Sequence, residues 1–398
     1  MKKLNCEILI IGGGLIGLVT AYSLALLGFK IIIVEKKLNL KSSKLKNVSL
    51  NDTRTTAISE GSKQFLEKIN LWSSISSFAQ QIKFINVFDR KPTSKINFYN
   101  QNLNQNLGYI VKNNIIIEKF LTKFKNLKNI NYYSGLTLNK IIYKEESIAG
   151  VFDNVSIFSK LIIAADGKKS FIRDITNTKH YYKEYKEKAL VVNFAHDLSH
   201  NSTAYEIFLK SGPLAILPMK ERFGKNYSSS LIWSHNKNFV ENLLISTEKN
   251  FKLVLEEQLY SITGSIKKIY SKQAFQLSSH INSKFYSKKI IFIGDAAHSI
   301  HPIAGQGWNL GLRDVKNLYK ISSGFKDLGL EIGSLSFCKK YHDECFYDTY
   351  RMYNITDKLN NLFIKDAQII NSLRGIGFEF IEKNNFLKKN ISNFAMGL

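Results

Sequence analysis

The sequence predicts an α/β protein: a Rossmann-like dinucleotide-binding domain, an inserted and mostly antiparallel β-sheet domain, and C-terminal helices. Three observations carry that expectation. A glycine fingerprint follows the first apolar strand, at Gly12-Gly13-Gly14-Leu15-Ile16-Gly17. A second apolar run, Ile290–Ile293, ends in Gly294-Asp295 and leads into a glycine-rich helix entry at Gly305 and Gly307. Between them, from His180 to about Gln273, the pattern turns to alternating apolar and polar residues rich in Tyr, Phe and Ser.

The first unit reads as βαβ. Cys6–Ile11 is a buried strand, Leu15–Leu27 a helix ended by Gly28, and Lys30–Val34 a second strand closed by Glu35. Gly12 permits the tight turn, Gly14 lets a pyrophosphate approach the backbone, and Gly17 lets helix and strand pack closely. Glu35 can accept from ribose hydroxyls, with Lys36 beside it. Asn51–Ser59, NDTRTTAIS, leads into a helix near Ser62–Ile69 and supplies Arg54 as a phosphate or flavin-edge contact, against a plain surface arginine. Phe84–Asp89 and Lys95–Tyr99 read as strands of a separate sheet, and Ile115–Phe124 as a helix of the first domain. Lys160–Arg173, KLIIAADGKKSFIR, is an apolar strand ending at Asp166, with Ser170 and Arg173 following.

Alternation over Ala189–Phe194, Tyr205–Leu209, Pro213–Pro218 and Ser229–Trp233 marks the inserted sheet, whose aromatic residues either line a pocket or pack a core. In Ile290–Asp314 the Asp295 carboxylate sits where the backbone turns. Pro302 occupies a turn, and Leu310 and Leu312 open a helix whose N-terminus can face a group that becomes anionic. Asn360–Ile381 mixes apolar and polar residues at helical spacing and can cap the cofactor domain or touch a membrane surface. The domains are expected at 1–80, 108–178 and 274–345 for the cofactor, 81–107 and 179–273 for the substrate, and 346–398 for the helical region.

Composition narrows the partners. Of 56 basic residues in 398, 49 are lysine, scattered through a chain of net charge +24. Bidentate phosphate and base recognition favours arginine, so a nucleic-acid role is set aside; the excess reads as solvated charge or attraction to an anionic membrane. Three cysteines without metal spacing suit a reducing compartment, and no metal site is expected. Lys2 and Lys3 precede an apolar stretch as in a signal peptide, but the glycines break that stretch early. No stretch of ~20 residues is free of charge, so no spanning helix is expected.

In this order, GGGLIG with Glu35, ADGKKSFIR and IGDAAHSIHP resemble the flavin-dependent aromatic monooxygenases of the para-hydroxybenzoate hydroxylase type. His301–Asp314, HPIAGQGWNLGLRD, resembles the signature of the ubiquinone-biosynthesis hydroxylases. NDTRTTAIS at Asn51–Ser59, LGYIVKN at Leu107–Asn113 and TAYEIFLKSGPLAILP at Thr203–Pro218 are similar to that family too. Asp295 stands where many relatives carry asparagine, and Trp308 where phenylalanine is common.

The resemblance implies FAD, NADH or NADPH as co-substrate, O2, and ring hydroxylation of a polyprenyl phenol or quinone intermediate through a flavin C4a-hydroperoxide. It implies pyrophosphate at Gly12, Gly14, Leu15, Ile16 and Gly17, adenosine ribose at Glu35, and the ribityl chain at Asp295. The flavin edge would lie against Pro302 and the backbone at Gly305, Gln306, Gly307 and Asn309, while Asp166 and Arg173 would support the pyrophosphate region and the nicotinamide path. No catalytic side chain is specified; His298, His301 and Pro302 are weak candidates, the histidines competing with a structural turn role. Other pathway enzymes and the inner face of the cytoplasmic membrane, approached from the cytoplasm, are the implied surroundings. A prenyl-lipid reductase or halogenase on the same scaffold, or a flavoprotein scaffold subunit of low turnover, are the competing readings.

Overall fold

Four β-sheets and a C-terminal helical cap make up the computed structural model, which describes residues 2–37, 52–100, 105–365 and 367–398. Asn51, the first residue of the NDTRTTAIS motif, and Asp366 lie outside the described residues.

The central sheet has six strands in the order Tyr286–Ser287, Ile290–Phe292, Leu161–Ala164, Ile8–Ile11, Ile31–Glu35 and Ile130–Ser134. Every neighbouring pair is parallel except the first. Its middle strands are near-continuous isoleucine runs, as a parallel sheet covered on both faces requires. Helix Leu15–Leu26 lies against it and packs on helix Gly307–Asp327. The ends of Ile8–Ile11, Leu161–Ala164 and Ile290–Phe292 thus sit side by side, although nearly 300 residues separate the first from the last.

A three-stranded antiparallel sheet, Thr55–Ser59, Gly108–Lys112 and Gln80–Ile82, flanks this core. A second small sheet joins Lys2–Asn5, Val155–Ser159, Ile148–Val151 and Lys140–Tyr143.

The largest sheet has eight strands in the order His298–Ser299, Ile266–Asn282, His180–His196, Asn226–Asn236, Gly212–Phe223, Thr203–Leu209, Phe84–Asp89 and Lys91–Tyr99. All its pairs are antiparallel except Thr203–Leu209 with Phe84–Asp89. The mostly antiparallel sheet expected from the alternation is therefore present. The stretch also holds two helices that the sequence reading passed over, Lys237–Ile245 and Glu248–Thr263. Phe251, Leu255 and Leu259, four residues apart, bury one helical stripe against Leu190, Phe194 and Leu214 of the sheet.

The chain finishes in helices Leu335–Ile364, Gln368–Lys383 and Asn385–Met396. The boundary expected at 345/346 falls inside the first of these, and that at 273/274 inside strand Ile266–Asn282.

Candidate active site

The strand ends form a cleft floored by the glycine loop. Gly12 has φ +112°, and a Cβ there would overlap the Ala165 carbonyl oxygen. A Cβ on Gly17 would overlap the Gly12 carbonyl oxygen, so helix and turn touch backbone to backbone. Gly14 differs: a Cβ there meets nothing within 4 Å. It caps helix Leu15–Leu26 with no side-chain partner, leaving the first-turn N–H groups to face open space. Leu15 and Ile16 are half-buried, and Ile16 packs against Gly294 and Gly311.

Glu35 reaches back across this loop. Its Oε2 accepts from the Gly13 N–H at 2.7 Å and its Oε1 from the Lys37 N–H at 3.0 Å. A half-buried carboxylate held in this way presents remaining lone pairs to a hydroxyl donor. Lys36 is exposed beside it.

Asp295 sits in the turn after strand Ile290–Phe292. Its side chain is solvent-accessible yet walled by protein, and that loss of solvation raises its pKa against the opposing charges of His298, Lys168 and Arg54. A carboxylate at the bottom of a recess is placed to accept from hydroxyls of a molecule that fills it. Arg54 lies over the Phe275 ring, 5.4 Å from its centroid, and is locked to Asp52 by bonds of 2.8 and 2.7 Å. Lys168 donates to the Ser278 carbonyl at 2.6 Å, and burial lowers its pKa although Asp295 pulls the other way. Asp52 and Lys168 were not singled out in the sequence; Asp52, two residues before Arg54, carried a readable signal, and Lys168 within ADGKKS a weaker one.

Asp166 is half-buried. One oxygen accepts from the Ile172 N–H at 3.2 Å, the other has no partner, and burial raises its pKa. Arg173 is buried, donating to the Lys168 carbonyl at 2.9 Å and lying 3.0 Å from His280 Nε2. Its guanidinium braces the Lys168 segment against strand Ile266–Asn282.

The HPIAGQGWNLGLRD segment forms the opposite wall. Pro302 caps a short 3-10 turn, Gly305 takes φ +61°, and Gln306 precedes helix Gly307–Asp327. A Cβ on Gly307 meets nothing within 4 Å, so a second helix N-terminus is open to a ligand. The Asn309 side chain is spent inward: it accepts from the Ser59 N–H at 2.9 Å and the Ser62 hydroxyl at 2.8 Å, and donates to the Ala57 carbonyl at 3.0 Å. His298 bonds Asp314 at 2.6 Å in full burial. His301 is buried with neither ring nitrogen partnered, edge-on to the Tyr185 ring at 4.8 Å, and burial pushes its pKa down to about 4.

The glycine loop, Glu35, Asp166, Asp295 and the Gly305–Gly307 turn thus converge. Two unblocked helix N-termini, a recessed carboxylate and an unpartnered Asp166 oxygen suit a long polar cofactor with anionic and hydroxyl-bearing parts. Among the described residues no three His, Cys, Asp or Glu side chains group to hold a metal ion.

The family described as "FAD binding domain" matches residues 5–323. The chain belongs to the FAD-binding-domain family. FAD is accordingly its cofactor, and the cleft fits it. A second family, described as squalene epoxidase, matches residues 254–398.

The chain is 27% identical over 392 residues to the ubiquinone hydroxylase UbiL of Rhodospirillum rubrum, covering 98% of this chain and 89% of that protein. It is 25% identical to the ubiquinone hydroxylase UbiM of Neisseria meningitidis, covering 99% and 85%. It is also 25% identical to the mitochondrial ubiquinone biosynthesis monooxygenase COQ6 of Dictyostelium discoideum, covering 98% and 91%. The resemblance read from the motifs is met by these relatives. Among solved structures, p-nitrophenol 4-monooxygenase PnpA of Pseudomonas putida shares the fold, with TM-score 0.79, 14% identity, and 98% and 97% of the two chains covered.

Proposed function

We propose that this flavoprotein hydroxylates the aromatic ring of a polyprenyl phenol in ubiquinone biosynthesis, using NADH or NADPH and O2. The balance is one oxygen atom into the ring C–H bond and one into water, with the reductant supplying the hydride and a proton completing the water. The observation that supports the reading is the packing of Ile16, two residues after the open Gly14, against Gly294, which immediately precedes Asp295, together with a turn whose Ile303 belongs to an apolar cluster with Ile96, Phe208, Phe363 and Phe378. A polar cofactor cleft and an apolar wall share one loop.

Bound FAD would supply hydride acceptance and oxygen activation; the chain supplies the positions. The N–H groups at Gly14, Leu15 and Ile16 would hold pyrophosphate, with Gly12 and Gly17 setting the turn. Glu35 would take the adenosine ribose, Asp295 the ribityl hydroxyls, and the helix end at Gly305–Gly307 the edge of the ring system where negative charge grows. Arg54 would shield one face, fixed by Asp52. His298 is committed to Asp314 and His301 is held neutral, so neither is assigned an acid or base role.

No helix among the described residues is long and apolar enough to cross a membrane. A substrate with a polyprenyl tail still resides in lipid, each buried CH2 contributing about 0.8 kcal/mol, so the chain would work against a membrane surface or another enzyme of the pathway. Turnover with 18O2 tests the reading: one labelled oxygen in the ring product per reductant oxidised is expected. Oxidation of NADH and NADPH that yields no labelled ring product from any prenylated phenol would reject it.

A further inference from the structure

Helix Gln368–Lys383 is amphipathic in the reverse of the usual sense. Its inner face is anchored largely by polar groups. Arg374, buried, donates to Asp89 at 2.8 Å and to the Leu362 and Lys365 carbonyls at 3.1 and 2.9 Å. Glu382 accepts from the Asn97 N–H at 2.9 Å and from its side-chain amide at 3.2 Å, covering part of the edge strand Lys91–Tyr99. The outer face carries Ile369, Leu373, Ile376 and Phe380, which are 76%, 62%, 64% and 61% exposed. At 100° per residue these four fall within an arc of about 60°, one continuous stripe. Phe386, 75% exposed, follows at the start of the next helix. Four large apolar side chains in one stripe are not the scattered exposure of an ordinary surface.

We propose that this stripe is a bilayer-docking face, and that the polyprenyl tail of the substrate passes from the lipid beneath this helix to the Ile303 turn; the second half rests on the function proposed above. Two observations favour lipid as the occupant. Exposed Lys365 and Lys389 flank the stripe, with Lys383 paired to Glu379 on the same helix, in a chain of net charge +24, which complements an anionic leaflet. Beneath the helix the apolar surface continues rather than ending: Phe378 meets Phe363, which stacks on Phe208 at 3.7 Å, and all three share a cluster with Ile303. Phe378 of this helix, Phe363 of helix Leu335–Ile364 and Phe208 of strand Thr203–Leu209 therefore form an apolar path from beneath the outer stripe to the Ile303 turn. A protein partner would account for the stripe but not for the apolar continuation to Ile303.

The test uses the FAD-loaded full chain and flotation with phosphatidylcholine vesicles, with and without phosphatidylglycerol. The wild type is expected to float with the anionic vesicles, less at high salt but not absent. The double variant L373E/F380E, altered only at exposed positions, is expected to lose at least about tenfold in partitioning, with an unchanged flavin spectrum and melting temperature. It should keep its rate on a short-chain phenol in solution and lose it on a polyprenyl phenol held in vesicles. A wild type that stays unbound at every salt, or a variant that floats equally, overturns the docking face. A wild type that self-associates through the stripe, broken by the same variant without any vesicle binding, gives the face to a second copy instead. Flotation lost in the variant while neither protein hydroxylates any phenol keeps the docking face and removes the proposed function.

Discussion

One oxygen of Asp314 accepts from both the Gly294 amide, at 3.0 Å, and the His298 imidazole, at 2.6 Å. Asp314 lies on the helix that begins at Gly307, and Gly294 immediately precedes Asp295. A single buried carboxylate therefore ties the two walls of the cleft together and sets where Asp295 points.

Removing that charge should be felt twice. Asp314→Asn leaves His298 buried beside a neutral amide, and breaking a buried pair costs about 3–5 kcal/mol. A lower melting temperature of the flavin-free protein is expected, together with FAD binding weakened at least about tenfold as Asp295 loses its fixed position. Flavin fluorescence titration and thermal denaturation measure the two separately; an unchanged FAD affinity would show that Asp314 acts on stability alone.

The glycine loop separates binding from folding. Gly14→Val places its side chain in open space, so the flavin-free fold should melt within a few degrees of wild type while bound flavin is lost. Gly17→Val would drive its side chain into the Gly12 carbonyl and should prevent folding. Absorbance of the purified proteins near 450 nm and their melting curves distinguish the two outcomes.

Arg173 is expected to matter for stability and not for the reductant. Arg173→Met removes the bonds to the Lys168 carbonyl and to His280 and should lower the melting temperature, with the KM for NADH or NADPH within about twofold of wild type. A large KM change in a stable protein would return Arg173 to the nicotinamide path.

The buried histidines predict an acid limit. Burial pushes His301 down to about 4; burial, reinforced by the neighbouring Arg173, pushes His280 down to about 3. Unfolded histidine titrates near 6.5, so below that pH the unfolded chain binds protons that the folded one refuses, and stability falls toward the folded values. His298 acts oppositely. Burial lowers its pKa, but the Asp314 charge and hydrogen bond outweigh that and leave it raised, so its contribution is present in acid and fades as pH rises through the folded value. Melting temperature should drop between about pH 6.5 and 4, and His301→Leu should flatten that slope; an identical slope in the variant would refute the assignment.

The backbone features of the cleft were legible in the sequence because they depend on residue type at fixed spacing. Only glycine fits at Gly12 and Gly17, and the apolar runs around them have no polar alternative to a covered strand. Side-chain direction was not legible. Arg173 and Asn309 sit inside motifs that suggest ligand contacts, yet the fold commits the Arg173 guanidinium to Lys168 and to His280, 107 residues on, and the Asn309 side chain to Ser59, 250 residues back. Helices Lys237–Ile245 and Glu248–Thr263 were passed over because aromatic and apolar alternation dominated their surroundings. Thr247, whose side chain accepts from the Asn250 N–H, was the available start signal. The outward stripe at Ile369–Phe380 could be seen as helical spacing, but which face met the protein depended on Asp89 and Asn97, far off in the chain.

The strand order of the central sheet has a consequence during synthesis. Ile8–Ile11 pairs with Leu161–Ala164, which in turn waits for Ile290–Phe292. At roughly 5–20 residues per second the first strand leaves the ribosome about 15–60 s before the last of these arrives. For that interval the isoleucine-rich βαβ unit has an unsatisfied edge and no cofactor cleft, while the antiparallel sheet between its segments can already pair with itself. Nascent chains stalled before Ile290 should therefore be chaperone clients that cannot retain flavin, and those stalled beyond Asp314, once clear of the exit tunnel, should begin to do so.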